Sequence, residues 1–280
     1  MKKVGIITFQ NSYNCGSMLE SYALQNYLKK MKIDSELIDF SSQGQKEMYG
    51  TYFKSNSLKN IVKNIIIFPH IKKIRKNNEM YKKFLKDNLI TSKKINTEDD
   101  FKNLDYSSVI AGSDQVWNVT IPDYDKAYFL QWVKNAKKIA YAPSFGAKNP
   151  VKYANNLEEI KEMIADFDYL SIRENNGKKW IYDMIKRDVP VLIDPTLLLN
   201  ADDYEKIVSK DMNINYKYIF LYCPSFKTDI CKFVKKISDK YNLPVIAWSA
   251  KSFYVKNIGK LGFKLPEYEN PSSYLYLMKI

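Results

Sequence analysis

Four short segments of the chain combine small residues with carboxylate, amide, hydroxyl or guanidinium side chains. They are Asn14-Cys15-Gly16-Ser17, Gly112-Ser113-Asp114-Gln115-Val116-Trp117-Asn118, Ser144-Phe145-Gly146 and Arg173-Glu174. Each lies just beyond a segment whose composition is typical of a β-strand. Because α/β proteins bind ligands beyond the carboxyl ends of their strands, these residues are candidates for a binding site.

The first segment, Asn14 to Ser17, is the end of a longer candidate loop, Thr8–Ser17, which begins where the first predicted strand ends and leads into a predicted helix. The free backbone N–H groups and the dipole at a helix N-terminus favour a phosphate or a carboxylate. Gly16 would allow a ligand to approach the backbone closely. The alternative is an ordinary helix start capped by Asn14 or Ser17, and the sequence leaves both open.

The second segment, Gly112 to Asn118, is the densest in polar side chains. Asp114, Gln115 and Asn118 offer a carboxylate and two amides, which suits a binding loop. Local turn chemistry is the alternative, since Asp and Ser stabilise turns and Trp117 could anchor the loop in the core. The third segment, Ser144 to Gly146, has the same position after a strand and also contains a glycine.

Arg173 is one of three arginines in a chain that otherwise uses lysine. A guanidinium can bind phosphate or carboxylate with two parallel hydrogen bonds, which would explain the choice. The alternative is an internal ion pair with Glu174 or with another neighbouring carboxylate. Asp194-Pro195-Thr196 is predicted to form a turn between domains.

Several catalytic signatures are absent, namely GxGxxG, GxxxxGK[ST], GxSxG and HExxH. The single histidine, His70, excludes a histidine-rich metal site within this chain, and its neighbours indicate a structural or solvent-facing role. Cys15, Cys223 and Cys231 form no CxxC pair, so we expect reduced thiols, no metal and a cytoplasmic protein.

Forty-four Lys plus Arg residues against thirty-one Asp plus Glu give a formal charge of +13. Such a balance suits phosphates, nucleic acid or an anionic membrane. The lysines are scattered and arginines are few, so we expect no nucleic-acid partner. Residues 60–76 mix isoleucines with cations, which indicates either a helix on a membrane surface or an amphipathic helix packed on the domain. No segment reaches the length of a transmembrane helix.

The elements that must position these residues alternate between strand and helix. Predicted strands are Val4–Phe9, Ser35–Phe40, Tyr106–Ala111, Lys138–Ala142, Tyr169–Ile172 and Val189–Ile193, with helices over Glu158–Ala165, Glu174–Ile185 and Ala201–Ser209. This alternation predicts a doubly wound α/β domain with a parallel sheet. We place the domain at residues 1–200.

A second α/β cycle follows, with strands Tyr218–Cys223 and Val245–Trp248 around a helix over Thr228–Tyr241. We assign residues 201–280 to a second Rossmann-like domain. Because open sheets usually have about four to six strands, we expect this domain to be incomplete.

The four segments, together with Tyr22-Ala23-Leu24, Ser171-Ile172 and Asp194-Pro195-Thr196, resemble the polysaccharide pyruvyl transferase family in order and spacing. The resemblance spans essentially the whole chain. It implies two Rossmann-like domains arranged as in GT-B glycosyltransferases, with a cleft between them. It also implies transfer of pyruvate from phosphoenolpyruvate, without a further cofactor, to a nucleotide- or lipid-linked sugar as a cyclic ketal.

By the same resemblance, Asn14, Gly16, Ser113–Asn118 and Ser144–Gly146 would face the donor or the acceptor. We add Ser17, Gly112 and Glu174 to this binding set. Arg173 is expected to bind an anion, and Asp114 to orient or deprotonate a sugar hydroxyl. The reaction requires a general acid and cationic groups.

The sequence departs from the family pattern at three points. Gln10 stands where members often have histidine, and Glu20 where glutamine is usual. The chain ends at Ile280, before a Ser-Phe-His-Gly segment of the second domain that is thought to serve the donor. These departures leave open whether the 280 residues suffice for activity. The resemblance implies that the reaction takes place in the cytoplasm, at the inner face of the plasma membrane. The alternatives are a nucleotide-sugar glycosyltransferase and a non-catalytic module that binds sugar or phosphate.

Overall fold

The computed structural model describes residues 2–279. The described residues form two compact units, residues 2–49 with 85–203 and residues 50–84 with 204–279. Strands are β1 (Val4–Ile7), β2 (Ser35–Leu37), β3 (Ser108–Ala111), β4 (Lys137–Ala140), β5 (Tyr169–Leu170), β6 (Ile219–Tyr222) and β7 (Val245–Trp248). Helices are α1 (Cys15–Lys30), α2 (Gln43–Tyr49), α3 (Leu58–Ile67), α4 (Ile71–Asn88), α5 (Pro150–Tyr153), α6 (Leu157–Ala165), α7 (Asn175–Ile185), α8 (Ala201–Glu205), α9 (Thr228–Tyr241), α10 (Ala250–Val255) and α11 (Pro271–Met278).

The first unit is built on a five-stranded sheet in the order β2-β1-β3-β4-β5, and every pair is parallel. The predicted α/β class with a parallel sheet is therefore confirmed. Ile7 pairs with Ala111, Ala111 with Ala140, and Ala140 with Leu170. This register brings the loops that follow β1, β3, β4 and β5 to one edge of the sheet, because parallel strands all point the same way.

The predicted strand Val189–Ile193 is reduced to a single bridge between Ile172 and Val191. Pro190 lies in the middle of this segment and lacks the N–H that a central strand must donate. Its carbonyl still accepts from Ile172 N at 3.1 Å, and Leu192 N donates to Ile172 O at 2.9 Å. The segment therefore extends the sheet edge without forming a regular strand.

The core of the first unit is aromatic where the loops leave the sheet. Trp117 is fully buried and stacks on Phe129 with ring centroids 5.1 Å apart. Phe145 is also fully buried and lies 5.5 Å from Trp117. The Trp117 indole donates to Tyr128 O at 3.2 Å, so the anchoring role considered for this residue is confirmed.

The second unit contains the two-stranded parallel sheet β6-β7. The predicted helix Thr228–Tyr241 and strand Val245–Trp248 are confirmed with the same bounds. Residues 50–84 also group with this unit, whereas the sequence placed everything up to residue 200 in the N-terminal domain. Hydrogen bonds across the unit explain the grouping: Lys251 Nζ donates to Gly50 O, and Glu269 N to Asn77 Oδ1.

The basic segment 60–76 forms parts of two helices, α3 and α4, separated by a short turn at Phe68–His70. Proline at position 69 explains the break, because it removes a helical hydrogen bond. Ile67 and Ile74 are buried against Ala250, so part of the segment packs on the unit. Among the described residues, no helix is both long and apolar enough to cross a membrane.

Candidate functional site

Backbone hydrogen bonds hold the predicted binding loops together at the carboxyl edge of the five-stranded sheet. Ser144 N donates to Asp114 O at 2.8 Å, which joins the loop after β3 to the loop after β4. Arg173 N donates to Pro143 O at 3.1 Å, which adds the loop after β5. The structure thus brings together three of the four segments that the sequence selected.

Asp114 links this edge to the start of α1. Its Oδ2 accepts from Ser17 Oγ at 2.5 Å, and its Oδ1 accepts from Gln115 N at 2.7 Å. The φ of Asp114 is 76°, in the left-handed region that non-glycine residues rarely adopt. Aspartate adopts this region more readily than most residues, and residues held in it cluster at active and ligand-binding sites as well as in turns.

Asn14 is the N-cap of α1, as the second interpretation of the first segment predicted. Its Oδ1 accepts from Gly16 N at 2.8 Å and from Ser17 N at 3.4 Å. The backbone N–H groups proposed to bind an anion are therefore engaged by this side chain. Ser17 reaches the site through its hydroxyl, on Asp114.

Gln115, Asn118 and Gly146 form one packed group. Asn118 Nδ2 donates to Gln115 Oε1 at 2.8 Å, and Asn118 Oδ1 accepts from Thr120 N at 3.0 Å. A Cβ on Gly146 would lie 2.6 Å from both Asn118 Nδ2 and Gln115 Oε1. Gly146 also has a φ of 66°. The glycine is therefore required by the amide pair and by the turn.

The Ser144-Phe145 segment is held by Glu174. Glu174 Oε1 accepts from Ser144 Oγ and from Phe145 N, both at 3.0 Å. Desolvation raises the pKa of Glu174, and these two hydrogen bonds and Arg173 oppose the rise. Phe145 points into the aromatic core, so this loop presents its backbone and Ser144 rather than the phenyl ring.

Arg173 forms an internal ion pair of the kind that the sequence left open. Its Nη1 donates to Asp194 Oδ2 at 2.9 Å and to Ser113 Oγ at 3.4 Å. Nε lies 3.9 Å from Glu174 Oε2. Asp194 also caps the turn Pro195–Leu197 through its Oδ1. The main partner is thus Asp194, a residue that the sequence analysis assigned only to a turn.

Glu20, on α1, is buried beneath the loop after β3. Its Oε1 accepts from Ser113 N at 3.0 Å. Thr8 Oγ1 lies 3.0 Å from Glu20 Oε2 and 2.9 Å from Ser113 O. One hydroxyl hydrogen cannot serve both oxygens. A proton on Glu20 resolves the arrangement, since Glu20 then donates to Thr8 and Thr8 donates to the carbonyl.

The electrostatic environment of Glu20 supports the protonated form. Burial raises the pKa of Glu20 to about 8, with further increases from Asp114 and Asp194 and opposing hydrogen bonds from Thr8 and Ser113 N. A Cβ on Gly112 would lie 3.2 Å from Glu20 Oε1. Gly112 is thus a close packing position over Glu20, in addition to its place in the binding loop.

The charges of the site favour hydroxyl groups over anions. Two carboxylates lie next to Arg173: Asp194 pairs with its Nη1, and Glu174 lies 3.9 Å from its Nε. A third carboxylate, Asp114, is held by Ser17 and Gln115 in the loop after β3. Carboxylates accept hydrogen bonds strongly and repel other anions at short range. The cluster is therefore well suited to orient the hydroxyls of an uncharged sugar.

A second group of polar side chains lies in the same unit, and the sequence analysis included only Gln10 of this group, in the loop Thr8–Ser17. Gln10 Oε1, both amide atoms of Gln45, Asp123 Oδ1 and the Tyr128 hydroxyl are buried without a hydrogen-bond partner among residues 2–279. Burial, and to a lesser extent Asp114, raise the pKa of Asp123 to about 6. Unpaired buried polar atoms are rare, and each one costs stability. A polar ligand would offset this cost.

A cavity of about 940 Å³ also lies in the first unit, at another place. Its lining includes Phe101 and Trp132, which stack with centroids 4.6 Å apart, together with Phe40, Lys46 and Asp125. None of the binding residues selected from the sequence lines this cavity.

Two residues of the site, Glu20 and Asp194, were missed as ligand-site candidates, and Thr8 was included only as the first residue of the loop Thr8–Ser17. The departure from the family pattern at Glu20 was a signal, because a carboxyl in place of an amide must find a proton or a cation. Asp194 carries no comparable signal, since aspartate is common in turns.

One of three comparisons with known proteins, the match to a family model, agrees with the resemblance seen in the sequence. The family model described as "Polysaccharide pyruvyl transferase" matches residues 14–279. Curated protein sequences give no significant match. Among solved structures, the chain is similar to the E. coli heptosyltransferase WaaC with ADP-2-deoxy-2-fluoro heptose, with 11% identity and a TM-score of 0.38. That alignment covers 96% of this chain and 75% of the other.

Proposed function

Because the chain belongs to the polysaccharide pyruvyl transferase family, we propose that it transfers the pyruvyl group of phosphoenolpyruvate to a sugar as a cyclic ketal. The observation that carries the proposal is the match of the family model over residues 14–279. The sugar would belong to a cell-surface polysaccharide precursor, linked to a nucleotide or a lipid. The reaction would take place in the cytoplasm.

The reaction joins one enol phosphate to two hydroxyls of the acceptor. A proton adds to C3 of the donor and makes it a methyl group, and the first hydroxyl oxygen attacks the cationic C2. Phosphate then leaves, and the second hydroxyl closes the ring on C2. Both hydroxyls lose their protons, which offset the proton gained at C3 and the one taken up by phosphate. The chain must therefore provide proton acceptors near the sugar.

Asp114 is our choice for the group that orients a sugar hydroxyl and accepts its proton. Ser17 Oγ and Gln115 N donate to its two oxygens and fix the direction of the carboxylate. Hydrogen bonds of this kind preorganise a catalytic group, so that little rearrangement is needed during the reaction. The strained backbone of Asp114 supports the same assignment.

The acceptor sugar would lie between Asp114 and Asp123, whose carboxyls interact electrostatically. Gln45 belongs to the same region, because its neighbour Gly44 packs against Pro122. Sugar hydroxyls both donate and accept, which matches the unpaired amide atoms of Gln45 and the carboxyl oxygen of Asp123. These groups carry no positive charge that would attract the phosphorylated donor.

Arg173 is our choice for the residue that binds the donor. Only its Nη1 is engaged by Asp194 and Ser113, so the other N–H groups of the guanidinium can donate to a phosphate or a carboxylate.

The proposal is tested by incubating the chain with phosphoenolpyruvate and sugars that carry two neighbouring hydroxyls. We expect release of inorganic phosphate together with a mass increase of the acceptor by one pyruvate ketal. A parallel reaction supplied with nucleotide sugars tests for a glycosyltransferase. Transfer of a hexose would add far more mass to the acceptor than a pyruvate ketal does, so the mass spectrum distinguishes the two activities. If no acceptor of this class gives phosphate release or a ketal, pyruvyl transfer by the chain is refuted.

A further inference from the structure

Helix α3 exposes an apolar stripe. Leu58, Ile61, Val62 and Ile65 follow the i, i+3, i+4, i+7 spacing that places side chains on one face of a helix. Their exposed fractions are 81%, 41%, 54% and 67%. Phe68, directly after the helix, is 65% exposed and extends the apolar surface.

The opposite face of α3 attaches the helix to its unit through polar contacts. Asn64 Oδ1 accepts from Phe53 N at 2.8 Å, and Asn64 Nδ2 donates to Phe53 O at 2.9 Å. Ile67 is buried on the same side. An ordinary surface helix turns its apolar stripe inward, so α3 has the reverse arrangement. The packing alternative is therefore wrong for this stripe.

The charges around the stripe all have one sign in the sequence. Residues 51–78 contain seven lysines and arginines and no aspartate or glutamate. Lys73 and Lys76 are engaged by the chain, on the backbone of Pro266 and Glu267 and on the Glu267 carboxylate. Other cations of the segment are exposed, namely Lys54, Lys59, Lys72 and Arg75.

We propose that α3 and the turn after it form a membrane-binding face that inserts its apolar stripe into the surface of an anionic lipid bilayer. The stripe would lie among the acyl chains near the headgroups, and the lysines would contact the lipid phosphates. With ten residues, α3 is about 15 Å long, too short to span a bilayer. The helix therefore lies in the interface.

The same charges argue against a second copy of the chain as the occupant. Pairing two copies of this face would bring exposed lysines of like sign together, and like charges at an interface oppose association. An anionic bilayer instead offers both the apolar phase for Leu58 and Ile65 and the negative charge for Lys59 and Lys72. Charge complementarity thus selects the lipid surface.

The test is co-sedimentation with vesicles made from equal parts of phosphatidylcholine and phosphatidylglycerol. We expect the chain to bind these vesicles, to bind phosphatidylcholine vesicles less, and to be released in part by salt. The double variant Leu58→Gln/Ile65→Gln should lower the apparent affinity at least about tenfold, because two large apolar side chains no longer insert. Both positions are exposed, so the fold should be kept.

The matched control is Ile230→Gln/Phe233→Gln on α9, where two exposed apolar residues lie outside the basic segment. This variant should bind the mixed vesicles as the unmodified chain does. The proposal is overturned if the unmodified chain stays in the supernatant, or if both double variants lose binding equally. It is also overturned if sedimentation velocity shows a dimer that only Leu58→Gln/Ile65→Gln dissociates, since α3 would then be an interface between copies.

Discussion

Replacing Glu20 with glutamine tests whether this buried carboxyl carries a proton. Glutamine has nearly the same shape, and it can accept from Ser113 N through Oε1 and donate to Thr8 Oγ1 through Nε2. These are the two contacts that protonated Glu20 makes in the structure. We expect Glu20→Gln to keep the fold and the site geometry while removing the titration.

The size of the effect follows from the pKa of Glu20, which rises from 4.5 to about 8 on folding. At pH 7 the unfolded chain has Glu20 ionised, so folding must take up a proton. The interval from 4.5 to 7 corresponds to about 3 kcal/mol at about 1.4 kcal/mol per pH unit. Because the folded state binds more protons in this interval, stability falls as pH rises from 4.5 towards 8. The substitution should remove this loss.

The assay is urea unfolding of both proteins at pH 5, 6, 7 and 8. The stability advantage of Glu20→Gln should be small at pH 5 and grow by up to about 1.4 kcal/mol per unit. Asp114, Asp194 and Tyr141 also act electrostatically around Glu20 and are common to both proteins, so the difference isolates the carboxyl. The exposed Glu162→Gln is the control. A pH-independent difference would show that Glu20 is ionised in the folded state.

Three substitutions test the loops. Asp114→Asn should lower kcat about a hundredfold or more with little effect on folding, because the amide cannot accept the hydroxyl proton. The control variant, Asp211→Asn at an exposed position, should leave kcat unchanged. Equal kcat values in the two variants would exclude Asp114 as the base. Urea titrations should show that Gly146→Ala lowers the free energy of unfolding by about 2 kcal/mol more than Gly262→Ala does. Both glycines have a positive φ, but only at position 146 would the added Cβ clash with neighbouring side chains, those of Gln115 and Asn118. Arg173→Ala should raise KM for phosphoenolpyruvate about tenfold or more. An unchanged KM would show that Arg173 does not bind the donor and serves only in its ion pair with Asp194.

The gathering of the four loops could be predicted because it follows from strand direction. Short apolar runs such as Val4–Ile7 and Ser108–Ala111 identify parallel strands, and parallel strands place the following loops on one edge. The roles within the loops were less accessible. Phe145 belongs to a predicted binding loop, yet its ring fills the core. A sequence gives the order of side chains in a turn but does not give the direction in which each one points.

Long-range partners account for most of the remaining differences. Arg173 pairs with Asp194, which lies 21 positions away, and Ser17 with Asp114, 97 positions away. Residues 50–84 join the second unit through Asn77 and Gly50, whose partners are about two hundred positions further along the chain. Helical or strand periodicity reports only local contacts, so none of these pairings has a sequence signature.

Glu20 shows how a departure from the family pattern can preserve the chemistry of the site. An ionised carboxylate at this depth would add a fourth negative charge to those of Asp114, Glu174 and Asp194. The nearby cation, Arg173, is already paired with Asp194 and lies close to Glu174. A protonated carboxyl instead supplies one acceptor and one donor, as glutamine does, and leaves the net charge unchanged. The acidic cluster can then hold a neutral sugar, and the anionic donor must compete with Asp194 for Arg173. A donor affinity that rises when Asp194 is changed to Asn would show that competition directly.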